Sequence, residues 1–375
     1  MKPTRHLVAQ LLNLCYDLSV DNQRFRVPQN YHNFGLVALV ALALLLLFAL
    51  PLSLRAQDVQ FSQFYQAPLY LNPAFTGSLQ GLRVGANYRN QWPGLASNYV
   101  TYSVYADYYI DEANSGIGLI AKRDEQGSGT SPVTSNDIGL IYSYAIPINQ
   151  NTVVQPAIQG TFVQRNLNAG GLLFPDQFND DGLTGAPTQE NLPDGSVFYV
   201  DISAGLLFLS DNVWAGVSAH HINRPNQSFL EGESRLPTKI SVHAGYRVDF
   251  YNIDLDLIPS FVYQQQGDAK QAHAGILGVW NPVMAGIWYK GFPLEQYQGQ
   301  LSNNDALVFM AGVRLANLNL ELGYSYDMTI SDLSNYGANA HEISLTYSIM
   351  GSGNLYCPDI WGTSRGNRVY RRRGF

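Results

Sequence analysis

The sequence predicts an all-β fold, a transmembrane antiparallel β-barrel of about 14 strands behind a signal peptide. Three observations lead there. Only 14% of the 375 residues are charged, against about 25% in a typical soluble chain, too few for a large water-facing surface. Apolar and polar residues alternate from Leu82 almost to the end, the mark of strands with two unlike faces. The connections between those strands are short and long by turns. Composition also excludes alternatives. Apolar content is an ordinary 46%, and a single stretch is long enough for a hydrophobic helix, so a polytopic helical membrane protein is out. A cytosolic enzyme is disfavoured, and the 34 Gly and 24 Tyr, with abundant Asn and Ser, speak against a helix-rich fold. A large secreted β-sandwich is the remaining rival.

The first element, 1–56, reads as the signal peptide. Lys2, Arg5, Arg24 and Arg26 precede the apolar run LVALVALALLLLFALPLSL at 36–54, and the small residue Ala56 stands before Gln57. The run is also long enough to span a bilayer, so an uncleaved anchor is the alternative. An over-extended start would explain the long lead. Cys15 falls within the leader, and Cys357 is then alone, so neither a disulfide framework nor a zinc site is available.

The second element, 57–81, lacks clean alternation and is rich in Gln, Asn, Pro and aromatics. It is expected to cap or plug the periplasmic mouth of the barrel. Phe61, Phe64, Tyr65 and Tyr70 would pack there, while Pro68 and Asn72-Pro73 enforce turns.

The barrel itself occupies 82–350. Strands are expected near 82–92, 99–110, 116–123, 136–148, 152–165, 197–209 and 212–221, then near 238–250, 253–265, 271–280, 283–290, 305–316, 318–327 and 340–350. In 99–110, Val100, Tyr102, Val104, Ala106, Tyr108 and Ile110 form one face against Thr101, Ser103, Tyr105 and Asp107 on the other. Ordinary strands average about 5–6 residues, whereas a tilted strand needs about 9–11 to cross a bilayer. Most of these segments are longer still, which favours membrane crossing over a sandwich. Asn149-Gln150-Asn151, Ser210-Asp211, Tyr251-Asn252, Asn281-Pro282 and Asn317 are tight-turn residues. The alternate connections 124–135, 166–196, 222–237, 291–304 and 328–339 are longer, as in outer-membrane barrels with brief periplasmic turns and long outer loops. In hydrocarbon no water satisfies the backbone, so the sheet must close on itself.

The apolar faces would then meet outer-membrane lipid, with Tyr forming interfacial girdles. The other face holds Arg83, Arg89, Asp107, Asp201, Arg247, Asp249, Asp254, Asp256, Arg314, Glu321 and Glu342. Charges on strands this apolar are expensive unless they point inward, so these are lumen candidates, read first as mutually paired residues that hold the barrel's shape. Residues 57–350 carry 12 Lys+Arg against 26 Asp+Glu, which does not suit nucleic acid. The tail, 351–375, carries five Arg and Asp359. Its Arg371, Arg372 and Arg373 are candidates for contacting an acidic periplasmic partner, against the plainer reading of a disordered end.

No catalytic residues emerge. The histidines sit in no nucleophile motif, and no metalloprotease helix, phosphate loop or CxxC is present. Neighbouring His220 and His221 point to opposite faces of a strand. No cofactor is expected; Asp176, Asp180 and Asp181 could bind calcium, without the spacing of a helix–loop–helix site.

The opening of the mature chain is more specific. Gln57-Asp58-Val59-Gln60-Phe61-Ser62-Gln63-Phe64-Tyr65, then Pro68-Leu69-Tyr70-Leu71-Asn72-Pro73-Ala74-Phe75-Thr76-Gly77, then Tyr88-Arg89-Asn90-Gln91-Trp92-Pro93, resembles the PorP/SprF family. Phe174-Pro175-Asp176-Gln177-Phe178 looks like the family's mid-chain FxDQ stretch. The resemblance covers the whole mature chain. It implies an outer-membrane barrel linked to the type IX secretion system and gliding motility. Such a barrel would support export or surface attachment of a secreted partner such as a large adhesin, without catalysing a reaction. A passive porin or small-solute channel is the alternative, and an outer-membrane hydrolase a more distant one.

Overall fold

A computed structural model describes residues 58–351, apart from short breaks at 96–97, 128–132, 169–172, 181, 190–194, 230–231, 251, 298–300 and 332–336. The leader and all but the first residue of the basic tail therefore lie outside the described residues.

Fourteen strands form one closed antiparallel barrel. They are β1 (Gly81–Gln91), β2 (Tyr99–Ile110), β3 (Ser115–Gln126), β4 (Val133–Tyr144, resuming as Ile146–Asn149), β5 (Thr152–Leu167), β6 (Gly195–Ser210) and β7 (Val213–His220). Then come β8 (Lys239–Tyr246, resuming as Val248–Phe250), β9 (Leu255–Gln266), β10 (Ala269–Trp280), β11 (Val283–Tyr297), β12 (Leu301–Leu315), β13 (Leu320–Thr329) and β14 (Ala340–Met350). Each pairs with its neighbours in sequence. The last strand closes on the first, from Gly81↔Met350 to Gln91↔Ala340. No backbone edge is left open, which a hydrocarbon environment requires.

The period-two pattern becomes two real faces. On β2, Thr101, Ser103, Tyr105 and Asp107 are buried inside, while Tyr102, Val104 and Tyr108 are exposed on the outside. On β14, Glu342, Ser344 and Thr346 point in and Ile343, Leu345 and Ile349 point out. The outer wall is thus apolar, and the inner wall mixes polar and charged groups with a buried apolar cluster that includes Leu207, Leu209, Trp214, Ile258, Met284 and Trp288.

One rim is built from tight turns. Asp111–Ala113 and Ala316–Leu318 are single 3-10 turns, closed by Asn114 and Asn319 in the left-handed conformation. Asp211 and Asp254 take the same conformation in their turns, which Asn and Asp tolerate best among residues with a side chain. The opposite rim carries the long connections, with two departures from expectation. The loop anticipated at 291–304 is largely strand: β11 and β12 pair out to Tyr297↔Leu301 across register shifts at Lys290/Gly291 and Phe292/Gln296. Gly291 and Pro293 imitate a loop, yet bulges accommodate both residue types at a strand end. Between β9 and β10 the connection is only Gly267-Asp268.

Candidate functional site: the occupied lumen

Fourteen strands enclose more space than their own inward side chains fill, and residues 58–80 fill it. A cap or plug at the periplasmic mouth is the expectation, and the segment goes further than the mouth. It descends inside the barrel from the long-loop rim to the short-turn rim, as its partners show level by level. Its aromatics need burial that no separate domain provides, and the inner wall offers polar groups to every turn of its irregular backbone.

At the long-loop rim the Asp58 amide donates to Gln266 Oε1 at 2.9 Å. Its carboxylate lies 2.7 Å from His221 Nε2, and Asp201 approaches the other ring nitrogen at 3.0 Å. Lys239 Nζ stands 3.7 Å from the same Asp58 oxygen and 4.7 Å from the centre of the Tyr70 ring. Burial works against a charged imidazole, but the two carboxylates outweigh it and push His221 up to about 9. Asp58 is held well below the usual carboxylate range, because His221 and Lys239 overcome its burial.

Just inside the long-loop ends of β1, β13 and β14, a charged knot grips the segment. Arg89 reaches Asp327 Oδ2 at 2.8 Å, Glu342 Oε2 at 3.0 Å and the Ser62 hydroxyl at 3.0 Å. The amides of Ser62 and Gln63 donate to the two oxygens of Glu342 at 2.8 and 3.0 Å. The Ser62 hydroxyl donates to Asp327 at 2.6 Å. Just below, Tyr105 donates its hydroxyl to the Gln66 carbonyl, and Thr346 donates to the Gln66 side chain. The Tyr65 ring stacks on Trp288, centroids 5.6 Å apart, and Phe64 meets the same indole edge-on.

A single helical turn, α1 (Pro68–Leu71), follows, with proline at its start where an amide would be unpaired anyway. Asn72 ends it and is fully buried. Its side-chain amide faces the carbonyls of Leu206 and Val217 and His243 Nε2 at 3.2, 3.3 and 2.9 Å, while its oxygen accepts the Ala74 amide. Only glycine at 205 and 216 leaves room: a Cβ on Gly205 would lie 1.9 Å from Asn72 Oδ1.

At the short-turn rim Arg83 is bidentate to Asp107 and also donates to the Phe75 carbonyl. Asp107 in turn accepts the Gly77 amide at 2.7 Å. Ser143 and Gln155 both donate to the Thr76 carbonyl. Gly77 has a left-handed φ of +74° and approaches Gly116 closely enough that a Cβ would sit 2.8 Å from its Cα.

The motif residues Phe61, Tyr65, Pro68, Asn72, Pro73 and Gly77 therefore all lie inside the barrel, with Arg89 as their main charged anchor. Tyr88 faces outward beside Tyr102, Asn90 and Gln91 form the last rungs of β1, and Trp92 leaves the strand edge-on to Tyr99. Of the lumen candidates, Arg83, Asp107, Asp201, Arg247, Asp256, Arg314 and Glu342 are buried. Asp249 pairs with Arg247, and Glu321 with Arg314. Asp254 does not face the lumen: it is exposed in the turn before β9, where strand alternation has stopped. Asp327, Lys239, His221, Trp214 and Trp288 were missed. Asp327 shares the inward face of β13 with Glu321, so alternation alone could have found it. Asp176 accepts from Thr188 and Gln189 within its own loop, and Asp181 is outside the described residues. Among the described residues no group of three His, Cys, Asp or Glu converges as a metal site.

A family model described as type IX secretion system membrane protein PorP/SprF matches residues 53–347. No curated protein matches the sequence. Solved structures similar to this chain include the Acinetobacter baumannii outer membrane protein Omp33, at 6% identity and a TM-score of 0.41 over 72% of this chain and 98% of that one. A Pseudomonas aeruginosa FadL homologue shares 12% identity at 0.41, over 75% and 94%. The P. putida toluene transporter TodX shares 11% at 0.43, over 75% and 93%.

Proposed function

Because the chain belongs to the PorP/SprF family of type IX secretion system membrane proteins, we propose that this outer-membrane barrel works by docking a secreted partner, not by conducting solutes. The observation that carries the reading is the lumen filled by 58–80 from rim to rim. A conduit needs a continuous wet path. Here Phe64, Tyr65, Leu69, Leu71, Ala74 and Phe75 are buried in the middle of the barrel, and salt bridges clasp the chain above and below them. What the barrel offers is its rims. The long-loop rim would face outward and present the loops 168–194 and 221–238 to a partner such as a large adhesin, supporting its export or retention at the cell surface. The basic tail, with Arg371, Arg372 and Arg373, would meet an acidic partner on the periplasmic side. The arrangement calls for no reaction.

Two measurements test this reading. In planar bilayers the purified protein is expected to show no steady conductance; a constant open current would replace docking with the porin reading. In cells, deleting the gene is expected to strip a specific secreted protein from the surface, which quantitative surface proteomics would register. An unchanged surface profile would remove the secretion role.

A further inference from the structure

The connection between β5 and β6 is the longest in the barrel, and its described residues 173–180 and 182–189 are folded. The Phe174 amide donates to Gln177 Oε1 at 2.9 Å, closing the turn Pro175–Gln177. Phe178–Asn179 pairs with Gly182–Leu183 as a small ribbon. The Gln177 side chain donates to the Ala186 carbonyl at 3.0 Å, and the Thr184 amide donates to the Gln177 carbonyl at 2.8 Å. Asp176 accepts from the Thr188 hydroxyl and the Gln189 amide.

These bonds turn the loop inside out. Two of its polar side chains, Gln177 and Asp176, are spent on internal bonds, while Leu173, Phe178 and Leu183 stand 61%, 50% and 55% exposed. Three large apolar side chains held in water by a hydrogen-bonded frame mark an interaction site more than a solvated connector. Lipid is not what covers them. On the outer faces of β5 and β6 the apolar wall ends at the stacked pair Phe162 and Phe198. Beyond it come Gln164, Asn166 and Ser196, the last donating to Asn166. From Phe162 the strand runs on to Leu167, about 16 Å at 3.3 Å per residue, before the loop begins. Between 168 and 194 the sequence also has Asp176, Asp180, Asp181, Glu190 and Asp194 and not one Lys or Arg, so an anionic headgroup layer would repel it. The base is braced by the neighbouring long loop, where Arg165 donates to Gln227 at 2.6 Å and lies over the Phe229 ring.

We propose that this loop is a prefolded docking knob whose Leu173, Phe178 and Leu183 enter an apolar pocket on a protein partner, with Lys and Arg of that partner around the pocket meeting the loop's carboxylates. The proposal rests on the docking reading above and names the surface and the partner's chemistry. Few side chains carry most of an interface's energy when they are apolar anchors within a charged rim.

The test uses the full chain in its own membrane. The protein lost from the surface of the deletion strain is the probe. With L173S/F178S/L183S in place of the native gene, its surface amount is expected to fall about tenfold, the loss of one strong anchor. The barrel's own level and heat-modifiable gel mobility should stay unchanged. Asp180→Lys alone, on an exposed position outside the hydrogen-bonded frame, should lower it severalfold. A photo-crosslinking residue at Phe178 should form its adduct with that same protein. Normal surface delivery in the triple variant, or an adduct with lipopolysaccharide alone, overturns the knob while leaving the docking reading intact. If the deletion strain loses no surface protein, both fall together.

Discussion

Arg89 carries more of the lumen than any other side chain. It is 1% exposed and pairs with both Asp327 and Glu342 while holding Ser62, with Lys290 3.8 Å from Asp327 as a second cation. Removing one member of a buried charge cluster strands the others, which typically costs about 3–5 kcal/mol. Arg89→Ala should therefore lower the unfolding free energy of the barrel in lipid vesicles, extrapolated from urea titration, by an amount in that range, and Arg89→Lys, which cannot fork to both carboxylates, should recover only part of it. At the long-loop rim, His221 titrates high, at about 9, so its contribution is whole below about pH 6.5 and fades as pH rises through 9. Asp58 runs the other way, contributing above its ordinary range and failing only in strong acid. Unfolding midpoints should fall between pH 7 and 10 in the native protein and stay flatter in His221→Gln; equal slopes would free the pair of that role. Sequence reading reached Arg89 through alternation and through the motif. It missed His221 because two adjacent histidines say nothing about what the chain's beginning will bring to them.

Among elements, the strands were legible and their partners inside were not. Alternation needs only local sequence, so the segments came out close to their observed bounds, except that β11 runs on to Tyr297. The 57–81 segment was recognisable as something other than a strand, yet its course depends on contacts more than 200 residues away in sequence, such as Ser62 to Glu342. No local pattern encodes those. The 291–304 error has the opposite cause: Gly and Pro gave a strong local signal, and cross-strand pairing with β12 overrode it. The bed for Asn72 supplies a test at this scale. Gly205→Ala puts a methyl where Asn72 Oδ1 sits, so the variant should loosen the segment. Hydrogen exchange of the amides from Leu71 to Thr76 is expected to quicken by an order of magnitude or more, with the strand amides of β1 and β14 little changed. Unaltered exchange there would mean the segment is held elsewhere.

For the molecule as a whole, closure and an apolar exterior could be argued from the requirement that hydrocarbon leaves no backbone group unpaired. That the plug runs the depth of the lumen could not. If the native barrel is silent as proposed, replacing 58–80 with a flexible Gly/Ser linker should give steady current in planar bilayers, and a silent variant would mean the wall alone closes it. The closure seam holds a further consequence. Arg89 on β1 and Glu342 on β14 are direct cross-strand partners there, and both clasp Ser62. The residues that zip the first strand to the last are also those that bind the stretch preceding the first. The inserted segment and the seam thus share one set of ligands, so a variant that loses its hold on Ser62 should also loosen the joint between β1 and β14.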